Sequence, residues 1–272
     1  MKIAFQGEPG AYSEEASFGY FESPETIPCE SFDAVFAAVT SGEMDAGLIP
    51  IENSLAGSIH QNYDLLLRHD LHIVGEYFLR VRHCLIVLPG MEKSDIRRVI
   101  SHPQALGQCH GYLRGLGVKT EPVYDTAGSV KMLKASGARD TAAIASRRAA
   151  ELYGMEILQE GIEDNPENYT RFLAISHQPV VAGSEAKTSV VFTLKNMPGA
   201  LFKALSVFAL RDIDLTKIES RPDPSTPFNY LFYVDLAGDP SQKNVAGALE
   251  HLADLAREYR VLGSYPRGRG HL

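Results

Sequence analysis

The 272-residue chain has no tryptophan, only three cysteines, and fewer basic than acidic residues. Cys29, Cys84 and Cys109 are odd in number, far apart and form no CxxC pair. That excludes a disulfide framework and a cysteine zinc site, and the expectation is a cytoplasmic protein with reduced thiols. No apolar run approaches the ~18–20 residues of a membrane span. Met1–Phe5 runs straight into Gly7 and Pro9, which leaves no room for the apolar stretch of a signal peptide. Lys+Arg 26 against Asp+Glu 34 gives a net charge of -8, which argues against a general phosphate-backbone binder. The shortage of bases is local: residues 1–184 hold 15 basic and 24 acidic residues, residues 185–272 hold 11 and 10. Also missing are GxGxxG after a strand, GxxxxGK[ST], HExxH and GxSxG. Their absence leads away from dinucleotide redox chemistry, phosphoryl transfer and metal hydrolysis, so no cofactor and no metal are expected.

What remains is an ordinary globular composition, 44% hydrophobic and 22% charged, long enough for two domains. Strand and helix signals alternate through the first two thirds. Lys2–Phe5 reads as a strand, Tyr12–Ala16 opens a helix, and Ser31 caps a helix whose Phe32, Val35, Phe36 and Val39 share one face. Ala46–Ile49 is a short buried strand, and Ile59, Tyr63 and Leu66 mark another helix. Two apolar runs fill His72–Leu88, Val99–Ser101 is a strand, and one helix is expected from Pro103 to about Leu113. A helix starts at Asp125 or Thr126, Ala142–Ala145 is a strand, Arg147–Tyr153 a helix and Arg171–Ser176 a strand. This alternation implies an α/β fold with a largely parallel or mixed sheet. After a linker at 177–186 the order becomes βαββαβ, a ferredoxin-like unit, with a turn expected at 222–227.

In α/β sheets working residues gather at strand ends and helix starts. Polar clusters sit there: Glu52-Asn53-Ser54, Ser101-His102-Pro103-Gln104 with Gln108, and Asn168-Tyr169-Thr170-Arg171. Each has two readings. Asn53 and Ser54 are either helix caps or ligand contacts. His102 is either structural or an acid–base group, Arg171 either a surface cation or a carboxylate fork, and Gly7–Gly10 either a tight turn or an anion cradle. Together they offer hydroxyls, amides, an Arg and carboxylates. That set suits binding, or an elimination or isomerisation driven by the substrate itself.

Gly7-x-Pro9-Gly10-Ala11-Tyr12-Ser13, Pro50-Ile51-Glu52-Asn53-Ser54, Ser101-His102-Pro103-Gln104-Ala105 with Gln108-Cys109, Asp125-Thr126-Ala127 and Asn168-Tyr169-Thr170-Arg171-Phe172, in that order, resemble prephenate dehydratase. Gly199-Ala200-Leu201-Phe202 and Glu219-Ser220-Arg221-Pro222 resemble the two phenylalanine-binding motifs of an ACT regulatory domain, with Phe202 where Val is frequent. The resemblance implies a two-lobed catalytic domain at 1–180, like a periplasmic binding protein, whose chain crosses between lobes near Phe78–Val81 and Arg171–Ser176. An ACT domain would follow at 187–266. It implies decarboxylating dehydration of prephenate to phenylpyruvate in phenylalanine synthesis, feedback by L-phenylalanine, and a homodimer or homotetramer paired through ACT edges. No nucleic acid or membrane partner is implied. With strand signals from Lys2, no fused mutase domain is expected, so the chain reads as monofunctional.

By the same resemblance Thr170 is the proton donor, Glu52 orients or supplies the proton, and Arg171 clamps a carboxylate. Asn53, Ser54, Ser101, Gln108 and Phe172 would contact substrate. Asn196, Gly199, Ala200, Leu201, Glu219, Ser220 and Arg221 would hold the effector. Two competitors remain: a non-catalytic amino-acid sensor, and an arogenate dehydratase, whose substrate carries an amino group where prephenate has a keto group.

Overall fold

The computed structural model of the chain describes residues 1–183, 185–223, 226 and 229–268. By compactness the described residues divide into two units: Met1–His69 with Tyr77–Leu173, and Asp70–Glu76 with those from Ala174 to Gly268. The expected turn at 222–227 falls largely outside the described residues.

The first unit begins with β1 (Lys2–Gln6), α1 (Tyr12–Tyr20), β2 (Glu25–Cys29), α2 (Phe32–Thr40), β3 (Ala46–Asn53), β4 (Gly57–Ser58), α3 (His60–Arg68) and β5 (His72–Arg80). It continues with β6 (Cys84–Val87), β7 (Arg98–Ser101), α4 (Pro103–Gln108), α5 (His110–Leu116), β8 (Lys119–Pro122), α6 (Thr126–Ser136), β9 (Thr141–Ala145), α7 (Arg147–Tyr153), β10 (Glu156–Glu160) and β11 (Tyr169–Ser176). Two mixed sheets result, β2-β1-β3-β11-β5 with β4 beside β3, and β10-β6-β9-β7-β8. Each is the spine of one lobe of an α/β pair, the arrangement expected of a periplasmic-binding-protein-like fold. The strands β5 and β11 each begin in one unit and end in the other.

The chain passes between the sheets after Arg80 and again before Tyr169. The second passage precedes the expected 171–176, because those residues are already paired in the first sheet. Val81 N–H donates to the Asn168 carbonyl at 2.7 Å, tying the two passages together.

Local chemistry explains the helix starts. Ser31 Oγ accepts from Ala34 N–H, Ser146 Oγ from Ala149 N–H, and Asp125 Oδ1 from Gly128 N–H, each satisfying an orphan donor of the first turn. The helix expected to run from Pro103 to Leu113 is two helices, broken at Cys109, whose ψ of 19° leaves the helical basin. Gly10, at φ +93°, brings the start of α1 against α7: a Cβ there would lie 2.8 Å from Ala149 Cα. Ser146 Oγ donates to the Gly10 carbonyl at the same junction. Phe5, Ala11, Cys84, Ile100, Val130 and Ala149 form one buried cluster around it.

The second unit is the expected βαββαβ: β12 (Ala186–Leu194), α8 (Ala200–Ala209), β13 (Leu215–Pro222), β14 (Tyr230–Ala237), α9 (Lys243–Leu255) and β15 (Ala256–Pro266), with strand order β13-β14-β12-β15. Val190, Phe192, Val234 and Leu236 pack with Ala204, Val207, Phe208, Val245, Leu249 and Leu252 of the two helices. Alternate residues of the same strands carry polar groups instead. Ser189 Oγ donates to Asp235 Oδ1 at 2.5 Å and meets Tyr265 Oη at 2.7 Å. Lys187 Nζ lies 2.6 and 2.9 Å from the two carboxylate oxygens of Glu76, and both residues are buried.

Candidate active site

A cavity of about 260 Å³ opens in the first unit, walled by strands of its first sheet and by helices and loops of both lobes. Thr170 and Phe172 of β11 form one side, Pro50 and Asn53 of β3 another. His83, just before β6, His102 at the start of α4, and Gln104 and Gln108 on α4 face it from the second lobe. The N-terminal ends of α1 (Tyr12, Ser13) and α6 (Asp125, Thr126) complete the wall.

Asn53 is held in one orientation. Its Oδ1 accepts from Leu55 N–H at 3.1 Å and Ala56 N–H at 2.9 Å, so its amide nitrogen must face the other way. That nitrogen donates to Thr170 Oγ1 at 3.0 Å, to Asn168 Oδ1 at 2.8 Å and to the Tyr169 carbonyl at 3.1 Å. Thr170 Oγ1 is therefore an acceptor from Asn53. Its own O–H remains to donate, and Thr170 lines the cavity.

Ser54 and Ser101 serve the walls from outside. Ser54 Oγ donates to the Glu167 carbonyl and accepts from Tyr169 N–H, pinning the segment that leads into Thr170. Ser101 is fully buried and donates to the Ile144 carbonyl at 2.6 Å, joining β7 to β9. Neither lines the cavity.

Nor do Glu52 and Arg171. Glu52 pairs with Ser58 of β4. Arg171 lies between Thr170 and Phe172 on a strand whose successive side chains point to opposite faces, so the two that reach the cavity exclude it. It is buried and has partners of its own. Of the residues expected to carry the chemistry, the fold brings together Thr170, Asn53, Gln108 and Phe172.

Some wall residues were not singled out from the sequence. His83 follows β5, and its ring is suspended between Gln108 Oε1, 2.8 Å from Nε2, and Tyr12 Oη, 2.9 Å from Nδ1. Burial pushes its pKa below the usual imidazole value, so the ring is neutral. A histidine between two strands, six residues before the turn signal at Pro89, carries no local pattern that would have marked it. Asp125 stood in a quoted motif without an assigned role, and His102 between a structural and an acid–base reading. His102 caps α4, its Nδ1 accepting from Gln104 N–H.

In the second unit a smaller cavity, about 210 Å³, is lined by Asn196, Met197, Ala200, Leu201, Asn229, Tyr230 and Phe232 among others. Three expected effector residues, Asn196, Ala200 and Leu201, are in its wall. Gly199 supplies the positive-φ turn into α8, at φ +77°. Glu219, Ser220 and Arg221 stand outside the wall on the edge strand β13, where Ser220 pairs with Phe232 and Arg221 with Leu231. Phe202 is 77% exposed and outside the cavity, so its bulk does not narrow it.

Comparison with known proteins bears on both sites. The family model described as prephenate dehydratase matches residues 3–180, and that of the ACT domain matches 188–254. Arogenate dehydratase/prephenate dehydratase 2, chloroplastic, of Arabidopsis thaliana is 50% identical over 98% of this chain and 73% of its own length. A prephenate dehydratase from Arthrobacter aurescens, solved in complex with L-Phe, is 33% identical with a TM-score of 0.90, over 98% of this chain and 90% of that one. A protein described as a novel type of quorum quenching acylase is 37% identical with a TM-score of 0.92, over 98% of both chains. The Arabidopsis relatives named chloroplastic overturn the cytoplasmic expectation. Unpaired thiols report only reducing surroundings and do not distinguish one such compartment from another. The chain belongs to the prephenate dehydratase family, is a dehydratase, and carries an ACT domain.

Proposed function

We propose that the first-unit cavity catalyses the decarboxylating dehydration of prephenate or its amino counterpart, with Thr170 as proton donor. The observation that carries this reading is the fixed Asn53 amide, which donates to Thr170 Oγ1 and leaves the threonine proton for the cavity. The ring carbon–carboxylate bond breaks as CO2 departs. Its electron pair enters the ring, and the carbon–oxygen bond opposite breaks. The hydroxide takes the Thr170 proton and leaves as water. Asn53 N–H steadies the Thr170 oxygen as its proton departs, and solvent returns that proton when the product leaves. Aromatisation supplies the driving force, so the chain's own groups need only orient, exclude water and donate one proton.

Gln104, Gln108 and His102 offer hydrogen bonds to the substrate's carboxylates, and Phe172 gives the ring an apolar surface. Glu52 and Arg171 stand outside the wall, so neither has a part in the proposed step. The acylase described above invites a second reading, but acyl transfer needs a nucleophile beside a base. The hydroxyl proposed to act, Thr170, is bonded to the Asn53 amide, which cannot serve as a base.

L-phenylalanine is the proposed effector, held at the cavity of Asn196, Ala200 and Leu201. The edge strand β13, carrying Ser220 and Arg221, would close that site against a second copy. The solved relative with L-Phe supports this reading.

The deciding measurement is steady-state turnover of prephenate and of arogenate by the purified chain, with and without L-phenylalanine. Thr170→Ala should lower kcat by roughly 10²–10⁴ with little change in KM. An unchanged kcat removes Thr170 from the mechanism, and product from neither substrate sinks the dehydratase reading. Ser220→Ala should weaken inhibition by L-phenylalanine while sparing turnover; full sensitivity would move the effector site elsewhere.

A further inference from the structure

The active-site cavity has an unusual charge balance for an enzyme whose substrate carries two carboxylates. Among the described residues its wall holds no Lys and no Arg. Its one acidic residue is Asp125. Its imidazoles are His83, whose pKa burial lowers, and His102, whose Nδ1 accepts from Gln104 N–H. The nearby Lys131 is drawn away to Glu8 at 2.9 Å, and Tyr124 donates to the same carboxylate.

Asp125 is also rigid. It caps α6, with Oδ1 accepting from Gly128 N–H at 2.6 Å, and its backbone carbonyl accepts from Ser129 N–H. Oδ2 faces Gly7, where an added Cβ would stand 3.6 Å away. Burial raises the pKa of Asp125, helped by the Glu8 carboxylate and opposed by the Gly128 amide, the His102 ring and the Ala127 amide. A cation in the cavity would favour the charged form further.

Resting on the dehydratase reading above, we infer that Asp125 reads the side chain of the substrate, selecting an α-ammonium group over an α-keto group. Prephenate brings two negative charges to a wall whose only acidic group is also negative. Arogenate brings the same two carboxylates with an ammonium that a fixed carboxylate complements. Specificity of this kind needs a group that attracts one substrate and repels the other, and a single Asp does both.

Asp125→Asn tests the assignment, because Asn keeps the capping acceptor for Gly128 N–H and removes only the charge. kcat/KM is measured for arogenate and for prephenate in both proteins. The wild type should prefer arogenate, and the variant should shift the ratio towards prephenate by roughly 10- to 100-fold. Asp125→Ser, a second capping residue without charge, should shift it in the same direction. A parallel fall in both substrates, or an unchanged ratio, overturns the inference and leaves the dehydratase reading intact. Product from neither substrate with the wild type overturns both.

Discussion

The first unit's cavity and the second unit's sheet both bury polar groups, and they do it in opposite ways. The cavity relies on neutral partners: Asn53 to Thr170, His83 to Gln108, Ser101 to a backbone carbonyl. The second unit buries a full ion pair, Lys187 with Glu76, beside the Ser189–Asp235–Tyr265 network. Neutral hydrogen bonds hold a donor in place while leaving capacity for a ligand. An ion pair with both members buried is saturated, and its geometry is costly to change. The difference separates a region built to receive a substrate from one built to hold a single register. Consistent with this, Gly263 of β15 lies so close to β5 that a Cβ there would fall 2.1 Å from the Ile73 carbonyl oxygen.

The largest expected effect falls on the ion pair. Glu76→Gln leaves a buried ammonium without its counter-charge and should lower unfolding free energy by about 3–5 kcal/mol. Replacing both members, Glu76→Leu with Lys187→Met, should recover most of that loss, because the desolvated charges disappear together. Thermal or denaturant unfolding of the three proteins checks this. Equal loss in the single and double variants would show that apolar replacements cannot fill the site.

The same contrast explains what could be read from the sequence. Patterned, buried elements were legible: α2 with its Ser31 cap, the all-buried β9, and the βαββαβ order of the second unit. Edge strands were not. β2 carries Pro28, and β8 is exposed along its whole length and ends on Pro122, so neither shows the apolar run or alternation that marks a strand. At the site, Thr170, Asn53, Gln108 and Phe172 were found because they stand in ordered motifs. The exclusion of Arg171 was also within reach, since a strand that points Thr170 at the substrate points Arg171 away. His83 was out of reach: its function depends on Tyr12 and Gln108, 71 and 25 residues away in the chain. The buried pair was hidden for the same reason, as Glu76 and Lys187 stand 111 residues apart.

The smallest effect is the most informative about the cavity. A neutral His83 has one ring proton for two neighbours. With Nε2–H given to Gln108 Oε1, Nδ1 is the acceptor and shares the Tyr12 O–H with the Arg82 carbonyl, each at 2.9 Å, and the Gln108 amide nitrogen is turned towards the cavity. The Gln108 backbone is fixed as well, its carbonyl accepting from Asp164 N–H at 2.7 Å. His83 is thus a positioning residue for Gln108. His83→Gln places an amide nitrogen near the position of Nε2 and keeps the donor. His83→Asn places one near Nδ1 and loses it. His83→Asn should raise KM by roughly 5- to 12-fold, the worth of one net hydrogen bond of about 1–1.5 kcal/mol, with kcat nearly unchanged. His83→Gln should stay within about 3-fold of the wild type, since the bond to Gln108 survives. Combined with Gln108→Ala, the His83→Asn effect should vanish, because the two side chains act through one contact. Equal KM increases in His83→Asn and His83→Gln, or additive losses in the double variant, would mean that His83 only fills space and that Gln108 finds its orientation without it.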